Sequence, residues 1–233
     1  MGSSRGASLG VLLSFICCGT LRAQQPSPDD GQQKRIFGII PNYRTSPTLD
    51  DYQPLSPAQK FKVASDDSLD RGTFVLAALF AANGQLTTAA PSFGHGVSAY
   101  ARYYAGSFTD LVVGNFMTEA IYPTMLRQDP RYFRRGTGTA WSRLRYAMGQ
   151  IVLTHGDSGG TQFNVSEFVG NATAVGISNA YYPDSRNLST NVSKLAVQIA
   201  VDMAANVVKE FAPDFDGRSS RNPEHGQPDC GHR

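Results

Sequence analysis

The chain is poor in charge. Lysine, arginine, aspartate and glutamate make up 17% of its 233 residues, against about a quarter in an ordinary globular protein. The formal net charge is only +2. With no block of like charge, this excludes nucleic acid as a partner recognised through a basic surface. Cysteine occurs three times. Cys17 and Cys18 fall in an N-terminal apolar stretch and Cys230 in a polar tail, so no internal disulfide framework can be drawn. No long run alternates apolar and polar residues, which argues against a sheet-based fold. No Gly-x-Ser-x-Gly string marks a hydrolase nucleophile. No motif calls for a cofactor, and His225, Cys230 and His232 read as part of a polar tail rather than as metal ligands.

What is present begins with a leader. Arg5 precedes the apolar run from Ala7 to Thr20, and Leu21-Arg22-Ala23 offers a small residue before Gln24-Gln25. This is the pattern of a secretory signal cleaved after Ala23. The run is short for a membrane span. An uncleaved anchor is the competing reading. Lipidation at Cys17 or Cys18 is disfavoured because Ile16 is too large a neighbour for that cleavage. Export to the periplasm or envelope of a bacterial cell is the expectation.

The rest divides into a linker and extended segment over 24–55, a helical domain over 56–213, and a disordered tail over 214–233. Arg35 to Arg44 is expected to lie extended across helices. Ser56, Pro57 and Gln59 place an N-cap, an N1 proline and a capping box at the start of a helix. Thr73 to Ala82 is apolar on all sides and predicts a buried helix ended by Asn83-Gly84. A helix begins over Gly96 to Tyr104. Ser107 caps a central one in which Phe108, Leu111, Val112, Phe116, Ala120 and Met125 keep helical spacing. Pro123 should kink or end it. Thr139 to Leu153 predicts a further helix, followed by a flexible loop over His155–Gly160. Val165 to Tyr182 is helical. The last helix, Ser189 to Phe211, has Val192, Ala196, Ile199, Met203, Val207 and Phe211 as its buried stripe, and Pro213 ends it. The fold class is therefore all-α, a compact bundle of roughly five or six helices packed through small residues.

Four segments carry a resemblance. They are Arg35-Ile36-Phe37-Gly38-Ile39-Ile40-Pro41-Asn42-Tyr43, Gly114-Asn115-Phe116-Met117-Thr118-Glu119-Ala120, Gln128-Asp129-Pro130-Arg131-Tyr132-Phe133 and Asn179-Ala180-Tyr181-Tyr182-Pro183. Together they resemble an uncharacterised family of exported bacterial proteins over nearly all of the mature chain. The resemblance implies the compartment and no activity.

Several polar positions are candidates for function. Glu119 interrupts an apolar helix and shares a face with Asn115 and Tyr122 at i, i+4 and i+7. It is either an acid or base lining a pocket, or a buried carboxylate paired with an arginine of the 127–145 region. Arg127, Arg131, Arg134 and Arg135 cluster with Tyr132 and Phe133. They form either a patch for phosphate or an anionic headgroup, or a turn whose arginines bond helix C-terminal carbonyls and Asp129. His155 and Asp157, with Ser158, invite a hydrolase reading, yet neighbours in sequence do not make a relay. Pro91-Ser92-Phe93-Gly94-His95 only approximates a lipid-phosphate phosphatase string, because Phe93 interrupts it. Glu167 suits a helix N-terminus, and Gly170, Asn171, Ala174 and Ser178 continue its face as small residues that admit a close neighbour. The sequons at Asn164, Asn171, Asn187 and Asn191 are read as chance.

These observations lead to one expectation and one rival. The expectation is an exported, non-enzymatic envelope component, held at a membrane surface or to an envelope protein. The rival is a small hydrolase acting on an envelope lipid or phosphoester. A cavity holding Glu119 beside several arginines favours the rival. A packed polar core under an exposed apolar face favours the first.

Overall fold

A computed structural model describes residues 52–215 and three short strands before them. The expected leader over 1–23, most of the linker, and the tail with His225, Cys230 and His232 lie outside the described residues.

The helices are α1 (Pro57–Ser68), α2 (Arg71–Leu86), α3 (Val97–Asn115), α4 (Tyr122–Leu126), α5 (Ala140–Gly149), α6 (Val165–Ser178) and α7 (Leu188–Phe215). A π-helical turn, Phe116–Ile121, joins α3 to α4 without a break. Counted that way, six helical rods make the domain, and the fold is all-α as the periodicity implied. The strands are two or three residues long. β1 (Arg35–Ile36) pairs antiparallel with β2 (Ile40–Pro41), and β3 (Thr45–Ser46) pairs parallel with β4 (Tyr132–Phe133). β5 (Leu153–His155) pairs antiparallel with β6 (Thr161–Phe163).

Helix starts follow local chemistry. Gln59 donates its amide to Ser56 Oγ at 3.3 Å while Ser56 N donates to Gln59 Oε1 at 2.8 Å, which is the capping box. Asp70, Thr139 and Asn164 cap α2, α5 and α6 through side-chain oxygens. Packing is by small residues. Ala64, Ala77, Ala81, Ala99, Ala120 and Ala147 have no exposed surface. Gly170 of α6 lies so close to the π turn that a Cβ there would sit 2.8 Å from Thr118 Cγ2 and 3.1 Å from the Met117 carbonyl carbon.

Several expectations need correction. Ser107 starts no helix; it is buried inside α3, which runs from Val97. Pro123 does not end the central helix. A proline lacks the N–H and its ring crowds the carbonyl four residues back, and the wider π turn just before it gives that ring room. The rod ends at Leu126 with Arg127 in the left-handed region. α5 stops at Gly149, and the stretch taken as helix end and loop is the β5–β6 hairpin. Arg35–Ile36 and Ile40–Pro41 pair antiparallel as β1 and β2, where one extended segment was expected. Pro213 sits inside α7, which continues to Phe215.

Two helix faces also differ. α2 buries only Thr73, Ala77, Ala81 and Gly84, one narrow stripe, leaves Leu76 and Phe80 half-buried, and exposes Phe74, Val75, Leu79 and Leu86. The buried residues of α7 are Lys209, Glu210 and Ala212. Of the expected stripe, Val192 (56%) and Ala196 are exposed, and Ile199, Met203, Val207 and Phe211 are half-buried.

Candidate functional site

The arginine region is a set of clamps. Glu210 of α7 is fully buried. It accepts from Tyr132 Oη at 2.7 Å, Arg143 Nε at 2.7 Å, Gly136 N at 2.9 Å and Arg135 N at 3.0 Å. Burial alone would raise its pKa, but these donors outweigh it and hold the carboxyl below its usual value. Arg143 also donates to the Glu210 carbonyl oxygen and to Asp214, both at 2.6 Å, and its guanidinium lies 4.5 Å from the Phe211 ring centre. Arg134 donates to the same carbonyl at 2.9 Å and pairs with Asp214.

A second clamp surrounds Asp129, which is 1% exposed. Arg131 grips it through Nε and Nη2, the latter at 2.6 Å, and Tyr52 Oη lies 3.0 Å away. A third joins α1 to the hairpin: Lys60, 1% exposed, donates to both oxygens of Asp157 at 2.8 Å and to the Pro123 carbonyl at 3.2 Å.

The residues singled out in the sequence are thus dispersed. Arg131 and Arg134 are taken up by carboxylates, Arg135 is exposed beside the Tyr146 ring, and Arg127 is exposed at the end of α4. Glu119 is buried at 1% exposure, as its apolar setting implied. Of the arginines between 127 and 145, Arg131 holds Asp129, Arg134 holds Asp214, and Arg143 holds Glu210 and Asp214. Asn115 and Tyr122 do not share a face with each other. Asn115 donates to Ser68 at 3.3 Å and Tyr122 meets Thr173 at 2.8 Å, because the π turn rotates the chain between them. His155 is buried against the Phe133 ring at 4.8 Å, and its Nδ1 has no hydrogen-bond partner. Burial lowers its pKa, so it is neutral near pH 7. Asp157 is held by Lys60 and Ser158 is exposed, so no relay forms. The hollow bordered by Gln128, Asp129, Tyr132 and Glu167 measures about 20 Å³, room for roughly one water molecule.

Two features were not anticipated. The first is the outer face of α2. Val75, Leu79 and Leu86, at i, i+4 and i+11, are 52%, 61% and 85% exposed. Phe74, stacked on Phe108 at 4.9 Å, and Leu69 extend the apolar surface. The second is a cavity of about 350 Å³ among α2, α3, α6 and α7. Asp110 and Lys194 both line it. Burial raises the Asp110 pKa to about 6 and lowers that of Lys194. The only sequence signal for the cavity is polar side chains spaced along otherwise apolar helices: Asp110 and Asn115 on α3, Lys194 and Asp202 on α7. No protein-family model, curated protein or solved structure matches the chain.

Proposed function

We propose that the protein is an exported, non-enzymatic component of the cell envelope that rests on a membrane surface through the outer face of α2. One observation carries this reading. α2 departs from an ordinary surface helix: its fully buried residues are Thr73, Ala77, Ala81 and Gly84, while Phe74, Val75, Leu79 and Leu86 face outward. Large apolar side chains grouped on one face mark an interaction surface, and Arg71 stands at its edge, suited to headgroups. No helix among the described residues is long and apolar enough to cross a membrane, so the attachment proposed is peripheral. Export rests on the N-terminal apolar run and on the resemblance to exported bacterial proteins.

The hydrolase alternative has less support. Arg131 and Arg134, which would bind a phosphoester, are neutralised by Asp129 and Asp214. His155 and Asp157 face different partners.

Vesicle flotation tests the reading. Wild-type protein is expected to float with vesicles of phosphatidylethanolamine and phosphatidylglycerol, and Val75→Ser/Leu79→Ser to stay at the bottom with its helical spectrum unchanged. Equal partition of the two proteins would overturn the role of α2.

A further inference from the structure

The geometry points to the cavity among α2, α3, α6 and α7 as a binding site for an elongated apolar amine, with the ammonium group held at Asp202 and Gln198. The volume, about 350 Å³, lies in the range of small-molecule sites. Its length follows from the helices. Lining residues run from Asp110 on α3 to Thr118 in the π turn, and from Lys194 to Asp202 on α7, where eight residues at a 1.5 Å rise make about 12 Å. The middle is apolar, with Leu111, Val175, Val197 and Val201 on three helices and Gly114 contributing bare backbone.

The two ends differ in charge. At one end Asp110 and Lys194 answer each other across the cavity. Tyr181 donates to Asp110, and Lys194 donates to Ser178 Oγ at 3.1 Å and lies 4.2 Å from the Tyr182 ring centre. That end is self-compensated. The raised carboxyl and lowered ammonium pKa values there agree, since burial disfavours both charges.

At the other end acceptors exceed donors. Asp202 receives a single long bond, 3.3 Å, from Asn171 Nδ2, which also donates to Glu167 at 2.9 Å. One turn earlier on α7, Gln198 Oε1 is buried and has no hydrogen-bond partner. A buried acceptor left unmet is destabilising, because it has lost its water without gaining a donor. An ammonium group satisfies both oxygens at once, with an apolar chain lying back along Leu111 and Val201 towards Lys194. A carboxylate head would meet Asp202 with like charge, and an alcohol would bring one donor for two acceptors.

Isothermal titration calorimetry of the full chain with n-octylamine, n-octanol and n-octanoate tests this at one pH near neutrality. Octylamine is expected to bind roughly tenfold or more tightly than either of the others, the size of a charge-assisted bond. Asp202→Asn is expected to weaken octylamine binding about tenfold or more and to remove its preference over octanol. Comparing three probes on the wild-type protein keeps the test decisive even if the variant folds poorly. No binding of octylamine, equal binding of the three probes, or an unchanged preference in a folded Asp202→Asn would each overturn the proposal.

Discussion

Glu210 joins the end of α7 to β4 and to the loop before α5, and it does so with every carboxylate oxygen in use. Glu210→Gln puts an amide N–H where donors already point and leaves Arg143 facing a weaker acceptor. Breaking a buried pair of this kind costs about 3–5 kcal/mol, so a large fall in melting temperature is expected by calorimetry. The sign of the pH dependence follows from the depressed pKa. The unfolded state takes up the proton first as pH falls. The contribution is therefore complete above the unfolded glutamate value, about 4.3, and is lost as pH drops through the lower folded value. Glu210→Gln should flatten the acid limb of the stability curve; an unchanged acid limb would show that other carboxylates set it. At this scale the sequence was informative only where partners are local. Ser56 with Gln59 was legible, as was the burial of Glu119 and of the Glu167–Ser178 face. Arg143 with Glu210 was not, since 67 residues separate them and no local pattern links an arginine to one of several distant acids.

The π turn and α6 pack closely, with Gly170 against the Met117–Thr118 backbone. Gly170 is required there for space rather than for backbone freedom. Gly170→Ala would press a methyl group against Thr118 and the Met117 backbone, with an expected loss of about 1–3 kcal/mol. Gly176 provides the control on the same helix, with open space where its Cβ would be. Gly176→Ala should stabilise by roughly 0.5–1 kcal/mol through helix propensity. Chemical denaturation of both variants measures the pair, and equal effects would refute the packing account. Helix existence was readable from spacing and caps, and helix orientation was not. α2 is apolar on all sides, so its sequence gives no signal for which face is buried. The π turn has no compositional signature beyond the proline that follows it. The glycine-rich loop before Thr161 was legible, and the strands β5 and β6 that flank it were not, because they are too short to display alternation.

At the scale of the described domain, several charged side chains are buried while large apolar side chains of α2 are exposed. Three buried clamps, on Glu210, Asp129 and Lys60, tie the later half of the chain together and tie it to α1. The outer face of α2 carries the apolar surface that a self-sufficient domain would bury. Fractionation of cells expressing the full chain with a C-terminal tag measures the consequence directly. The account predicts recovery in the membrane fraction and release by alkaline carbonate, the behaviour of a peripheral envelope protein. Recovery in the soluble fraction, or retention through carbonate with release only by detergent, would contradict it.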